Sequence, residues 1–258
     1  MSFVLRDVGL IAWRSVRRTT RQPASVIVPL TFPLLLMAVN SNGLRAATHL
    51  PGFPTDSFLA FFLPYSFIQG ALFAALTAGT DLARDIDTGF LNRLALTPMR
   101  GTALLAGQLG GAMAQALVQA LVYLTVGLAA GVHFQSGRAG MLVLVLLALL
   151  VAAGFASAGI WVALRTGSGE AVQSQFPIFF FAILISSMNM PRNLIEVDWF
   201  RDVATFNPVS YMIEGLRSLV IEGWNAEALL LGFGFSIVFV LIAMTLSAFA
   251  LRKRLVRT

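Results

Sequence analysis

The chain contains no cysteine, a single lysine and two isolated histidines, and only 12% of its 258 residues are charged. Without cysteine there are neither disulfides nor thiolate metal sites. His49 and His133 stand alone in the sequence, so a His-Glu-x-x-His zinc site cannot form. A phosphate-binding loop, Gly-x-x-x-x-Gly-Lys-Ser/Thr, needs its lysine beside the phosphates. The one lysine, Lys253, is followed by Arg254 and has no such loop before it. No histidine follows Ser168 to serve as its base, so Thr166-Gly-Ser-Gly169 reads as a turn rather than a protease site. The chain is therefore expected to be no enzyme by itself, to hold no metal and to bind no cofactor. Scarcity of charge also excludes a soluble globule, which needs polar groups to cover its surface, and a disordered chain, which needs low hydrophobicity and high net charge.

What is abundant is apolar: 57% of the residues, with a mean hydropathy of +0.81. About 20 apolar residues in a helix cross a hydrocarbon core of roughly 30 Å. Windows free of Asp, Glu, Lys and Arg place spans at about 23–44, 57–80, 102–131, 140–164, 171–190 and 228–251. Runs such as Leu142–Val151 are apolar on every face and show none of the alternation of a membrane barrel, so the spans are helical. Pro29, Pro33 and Pro64 fall inside spans, where neighbouring helices can satisfy the carbonyls that proline frees. The fold expected is an all-α polytopic membrane protein of one domain, 1–258, with six transmembrane helices.

Six spans put both termini on one side. If that side is the cytoplasm, it holds Arg6, Arg14, Arg17, Arg18, Arg21, Arg84, Arg93, Arg100, Arg165, Arg252, Lys253, Arg254 and Arg257, while Arg45, Arg138, Arg192, Arg201 and Arg217 lie outside. The acids run the other way, and the positive-inside rule gives N-in, C-in. The net charge of +6 thus points to membrane lipid and not to nucleic acid. Residues 3–21 plot as an amphipathic helix: Arg6, Arg14, Arg17, Arg18 and Arg21 share one arc and Trp13 sits at its boundary, as in a helix lying on the inner leaflet.

The one long polar stretch on the inner side is 81–100. Ile86, Phe90 and Leu94 fall on one helical face, with Asp81, Arg84, Asp85, Thr88 and Asn92 on the other. Pro98 stops the helix at Thr97, and Gly89 in its middle is explained by a close backbone approach. Here Arg84-Asp85-Ile86-Asp87-Thr88-Gly89, Leu91-Asn92-Arg93-Leu94 and Thr97-Pro98 precede a run entering the third span at Leu104. Phe206-Asn207-Pro208-Val209-Ser210-Tyr211 and Glu214-Gly215-Leu216-Arg217 precede the last span. With the six-span layout, these stretches resemble the permease subunits of type-2 ABC exporters, especially the daunorubicin-resistance type. The resemblance implies that 81–100 is a cytoplasmic coupling helix docking on a separate ABC ATPase subunit, with Arg84, Asp85, Asp87, Gly89, Arg93, Leu94 and Pro98 as its contact residues. It also implies ATP and Mg in that partner, a second permease copy in a homodimer, and the plasma membrane of a bacterium.

Residues 192–225 are too polar to cross and too apolar for a plain loop. Asn207 and Pro208 suit the N-cap and first turn of a helix. Val209, Met212, Ile213, Leu216 and Val220 then form an apolar face, Glu214 and Arg217 pair at i,i+3 on the other, and Gly223 ends it. Two placements stay open for these short helices, re-entrant in the outer leaflet or lying on the outer surface. Gln108, Gln115 and Gln119 share one face of the third span. They serve either interhelical hydrogen bonds or a lining of the substrate route. The function implied is export of a hydrophobic or amphipathic substrate, drug-like, lipid or glycolipid. The alternative is a non-transporting scaffold or sensor that binds a cytosolic partner through 81–100.

Overall fold

The computed structural model describes residues 24–91 and 101–255. The expected helix 3–21, with Arg6, Trp13, Arg14, Arg17, Arg18 and Arg21, lies outside the described residues, as do Asn92, Arg93, Leu94 and Pro98. The described residues form α1 (Ala24–Gly43), α2 (Phe58–Asp87), α3 (Gly101–Ala129), α4 (Gly137–Thr166), α5 (Gly169–Gln173), α6 (Phe176–Leu184), α7 (Asp198–Phe206), α8 (Pro208–Ile221) and α9 (Ala226–Leu255), with two short 3-10 turns and no strand among them. The regular structure of the described residues is entirely helical. Among these helices α2, α3, α4 and α9 are long and apolar enough to cross a membrane, and α1 carries a shorter apolar stretch, Ile27–Gly43. It is a multi-pass membrane protein.

Two windows differ from their expected form. The second does not end at residue 80: α2 continues as one helix to Asp87. The expected boundary was a change of charge, and nothing from Asp81 to Asp87 is a glycine or proline that could stop a helix. The stop comes at Thr88–Gly89, where Gly89 takes φ +67° and its N–H bonds the Ile86 carbonyl at 2.9 Å. Among the described residues nothing lies within 4 Å of a Cβ built there, and the left-handed φ makes Gly89 a helix terminator. The fifth window, expected as one span over 171–190, is broken into α5 and α6. Pro177 lacks the N–H that would bond the Gln173 carbonyl one turn earlier, and α5 ends at Gln173. The nine residues of α6 rise about 14 Å, roughly half a bilayer.

The core is built around α2, the most buried of the four long helices. It packs most extensively on α4, and α4 in turn carries α9. The α2–α4 crossing is close because both helices present glycine: a Cβ on Gly159 would lie 2.0 Å from the Ala75 carbonyl oxygen, and one on Gly79 2.8 Å from the Gly159 carbonyl oxygen. Proline in α1 is repaired from another helix. Pro33 leaves the Pro29 carbonyl without its usual donor, and the Tyr123 hydroxyl of α3 donates to that oxygen at 2.7 Å. The outward faces of α9, including Leu230, Leu241 and Phe249, are exposed and apolar. That pattern suits contact with acyl chains, which are as apolar as leucine.

Candidate functional site

Charge collects at two ends of the bundle. At the basic end lie Arg84, Arg165, Arg252, Lys253 and Arg254, and Arg254 donates to the Leu164 carbonyl at 2.8 Å. Here α2 projects its last turns. Arg84 and Asp87 are exposed, and Asp81 is half-buried. Asp85, expected on the polar face with Arg84, is instead only 4% exposed and points into the bundle. The side-chain amide of Gln108 donates to its carboxylate at 3.0 Å. The reason is geometric: because α2 runs straight through 81–87, one side of this segment still faces α3, and Asp85 falls on that side with Leu82 and Leu91 buried nearby. A carboxylate there needs a donor, and Gln108 supplies one.

Beside these turns a cleft of about 600 Å³ opens between α2 and the α5–α6 break. Phe73, Leu76, Thr77, Thr80, Asp81 and Arg84 form its α2 wall at helical spacing, and Gln173, Phe176 and Pro177 form the other. The Phe73 and Phe176 rings lie 6.1 Å apart, and Phe176 stacks on Phe180 at 5.5 Å. The wall thus passes from aromatic through hydroxyl to charged along one helix. The Gly167 turn and the Ser168 N-cap, whose hydroxyl accepts from the Ala171 N–H at 3.3 Å, set the angle at which α5 enters.

At the acidic end, α8 is buried on nearly every side. Val209, Met212, Ile213, Leu216 and Val220 are buried, and so are Ser210, Gly215, Arg217, Ser218 and Leu219. Pro208 opens the helix and the Asn207 side chain caps it, accepting from the Val209 N–H at 2.9 Å. The Asn207 amide donates in turn to the Ala182 carbonyl, joining α8 to α6. At the other end of α8 the Ser136 hydroxyl and the Gln135 N–H take the Leu219 and Val220 carbonyls at 2.6 and 3.1 Å, satisfying groups that the helix terminus leaves open. The expected Glu214–Arg217 pair does not form. Glu214 accepts both hydrogen bonds of a bidentate pair from Arg192, at 2.7 and 2.8 Å, and Arg192 lies over the Tyr211 ring. Arg217 turns inward, 4% exposed, and donates to the carbonyls of Phe61, Ser187 and Met188 at 3.0, 2.9 and 3.0 Å.

The three glutamines of α3 have separate surroundings. Gln108 holds Asp85, and Gln115 is buried. Gln119 is buried against Gly70 and Tyr123 with neither amide atom hydrogen-bonded. The structure therefore joins two candidate groups, Asp85 and Gln108, and separates another, Glu214 from Arg217. The cleft residues Phe73, Thr77, Thr80 and Phe176 were not singled out by sequence reasoning. The break at Pro177 is the feature that could have located them.

Residues 6–221 match the family described as ABC-2 type transporter. The chain is also 26% identical over 218 residues to the daunorubicin resistance ABC transporter permease protein DrrB1 of Streptomyces coeruleorubidus, covering 81% of this chain and 72% of that protein. The match spans the long helices α2, α3 and α4, the α5–α6 break and α8. The chain belongs to the ABC-2 type transporter family and is a transmembrane permease of that family.

Proposed function

We propose that this chain is the permease subunit of an ATP-driven exporter that moves a hydrophobic or amphipathic substrate, drug-like, lipid or glycolipid, out through the plasma membrane of a bacterium. The observation that carries the reading is the family match over 6–221 joined to the amphipathic cleft between α2 and α5–α6. A cleft with an aromatic wall and a charged lip accepts a molecule that has an apolar body and a polar group. The relative is a daunorubicin resistance permease by name, which agrees with such a cargo. The working unit in this reading has six spans with both termini in the cytoplasm. Two permease copies assemble with two ABC ATPase subunits, which hold ATP and Mg. The chain itself hydrolyses nothing; it supplies the route and the surface on which the ATPase docks. Arg84, Asp87 and Gly89, with Arg93, Leu94 and Pro98, form that surface, and Asp85 supports it from inside through Gln108.

The test is co-expression with an ABC ATPase subunit and purification by a tag on this chain alone. The expected outcome is a complex with vanadate-sensitive ATP hydrolysis, and none from the permease by itself. A chain that hydrolyses ATP alone, or that retains no ATPase subunit, contradicts the reading.

A further inference from the structure

Arg217 is a cation placed in the interior among the described residues with no carboxylate in salt-bridge range; the nearest acid on its own helix, Glu214, is taken by Arg192. A buried guanidinium is expensive unless its donors are satisfied. Here three donors go to three backbone carbonyls, and those carbonyls belong to two different parts of the chain. Nε bonds Phe61, in the first turn of α2; the two Nη atoms bond Ser187 and Met188, in the turn that follows α6. The guanidinium carbon also lies 3.6 Å from the centre of the Phe61 ring. The Ser187 N–H further bonds the Ser210 hydroxyl at 3.1 Å. One side chain thus ties α8, the 185–190 turn and the start of α2 together. Backbone carbonyls cannot be lost by drift of side chains, so the tie is specific to main-chain position.

The far end of α2 carries the exposed Arg84 and Asp87. From Phe61 to Asp85 the helix runs 24 residues, about 36 Å, without a break, and the Gly79–Gly159 crossing lies between. We propose that Arg217 is a positioning residue for transport: it locks the 185–190 turn and α8 to α2, so that these elements and the docking end of α2 move as one body. The inference rests on the ATP-driven permease reading and adds to it the residue through which the acidic end follows the ATPase. Lysine cannot replace arginine in this role, since one ammonium cannot reach three carbonyls in a fixed planar fork.

The absence of cysteine from this chain allows it to be spin-labelled at two chosen positions before it is combined with the ATPase subunit. Asp56→Cys, just before α2, and Asn193→Cys, just after the turn, are both exposed. Their distance is measured in lipid nanodiscs on the complex with the ATPase subunit, nucleotide-free and vanadate-trapped, with the labelled chain diluted in excess unlabelled chain so that a complex carries one labelled copy. In the parent a single narrow distance is expected, the same in both states. In Arg217→Lys the narrow peak is lost or shifts between states, while ATP hydrolysis by the partner persists. Arg217→Met serves as the stronger variant; if it does not insert, Arg217→Lys decides. A distance that stays narrow and unchanged in Arg217→Lys, or that shifts between states in the parent, overturns the proposal. Failure of the permease reading would register separately, as a chain that retains no ATPase subunit at all.

Discussion

At the scale of single residues, several buried polar groups join one helix to another. Asp85 and Gln108 fasten the end of α2 to α3. A hydrogen bond to a charged group contributes about 1.5–3 kcal/mol. Gln108→Leu should therefore lower the thermal stability of the purified chain by about 1–3 kcal/mol. Asp85→Leu combined with Gln108→Leu should cost less than the sum of the single changes. A purely additive result in a melting experiment would show that the pair does not interact. Tyr123→Phe removes the donor that replaces the missing N–H of Pro33 and should destabilise by about 1 kcal/mol, measured in the same way. Arg217 shows where residue-scale reading of a sequence fails. A helical wheel sets it at the flank of the apolar stripe of α8, between that stripe and Glu214, where a charged residue is expected to turn toward water. The wheel assumes one wet side, and α8 has almost none. The small residues Ser210, Gly215 and Ser218 on its remaining faces are the sequence signal for a helix enclosed all round, because they let neighbouring backbones approach.

At the scale of elements, helices end where a backbone group is missing or a left-handed turn is available, and charge marks those ends poorly. Helices α1, α3, α4 and α9 overlap four of the charge-free windows, and α9 runs on through the charged Arg252, Lys253 and Arg254. The windows placed the end of α2 too early and missed the Pro177 break, because Asp81–Asp87 is charged but helical and 171–190 is uncharged but interrupted. The α2–α4 crossing gives a contrast to measure. Gly159→Ala puts a methyl 2.0 Å from the Ala75 carbonyl and must push the helices apart, whereas Gly234 on α9 has nothing within 4 Å. Gly159→Ala should lower the melting temperature; Gly234→Ala should leave it unchanged or raise it, alanine being favoured over glycine in a helix by about 1 kcal/mol. Equal effects would mean that the crossing is not tight. The cleft has its own test. Cysteine at Thr77 or Thr80 should react with a maleimide in membranes, and tetraphenylphosphonium, an aryl cation, should slow that reaction; no protection at either position would count against the cleft as a substrate site.

At the scale of the whole molecule, the sequence was legible as class, family and charge layout, and the family match over 6–221 bears out the family. The 81–100 stretch was less legible: it reads as one polar helix, whereas α2 ends at Asp87 with a left-handed turn at Gly89, and 92–100 lie outside the described residues. Arg84 and Asp87 are exposed at the tip of α2 and Asp85 is not, so Arg84→Glu with Asp87→Lys should detach the ATPase subunit while membrane insertion and thermal stability are kept. Retention of the ATPase by that variant in a pull-down would place the docking surface elsewhere. The central claim, that this chain is the passive half of an ATP-driven exporter, is tested most directly by uptake of a fluorescent amphipathic cation into inverted membrane vesicles, from cells making this chain, an ABC ATPase subunit, or both. ATP-dependent, vanadate-sensitive uptake is predicted only where both are present. Uptake driven by ATP with this chain alone, or equal uptake with the ATPase subunit alone, would contradict it.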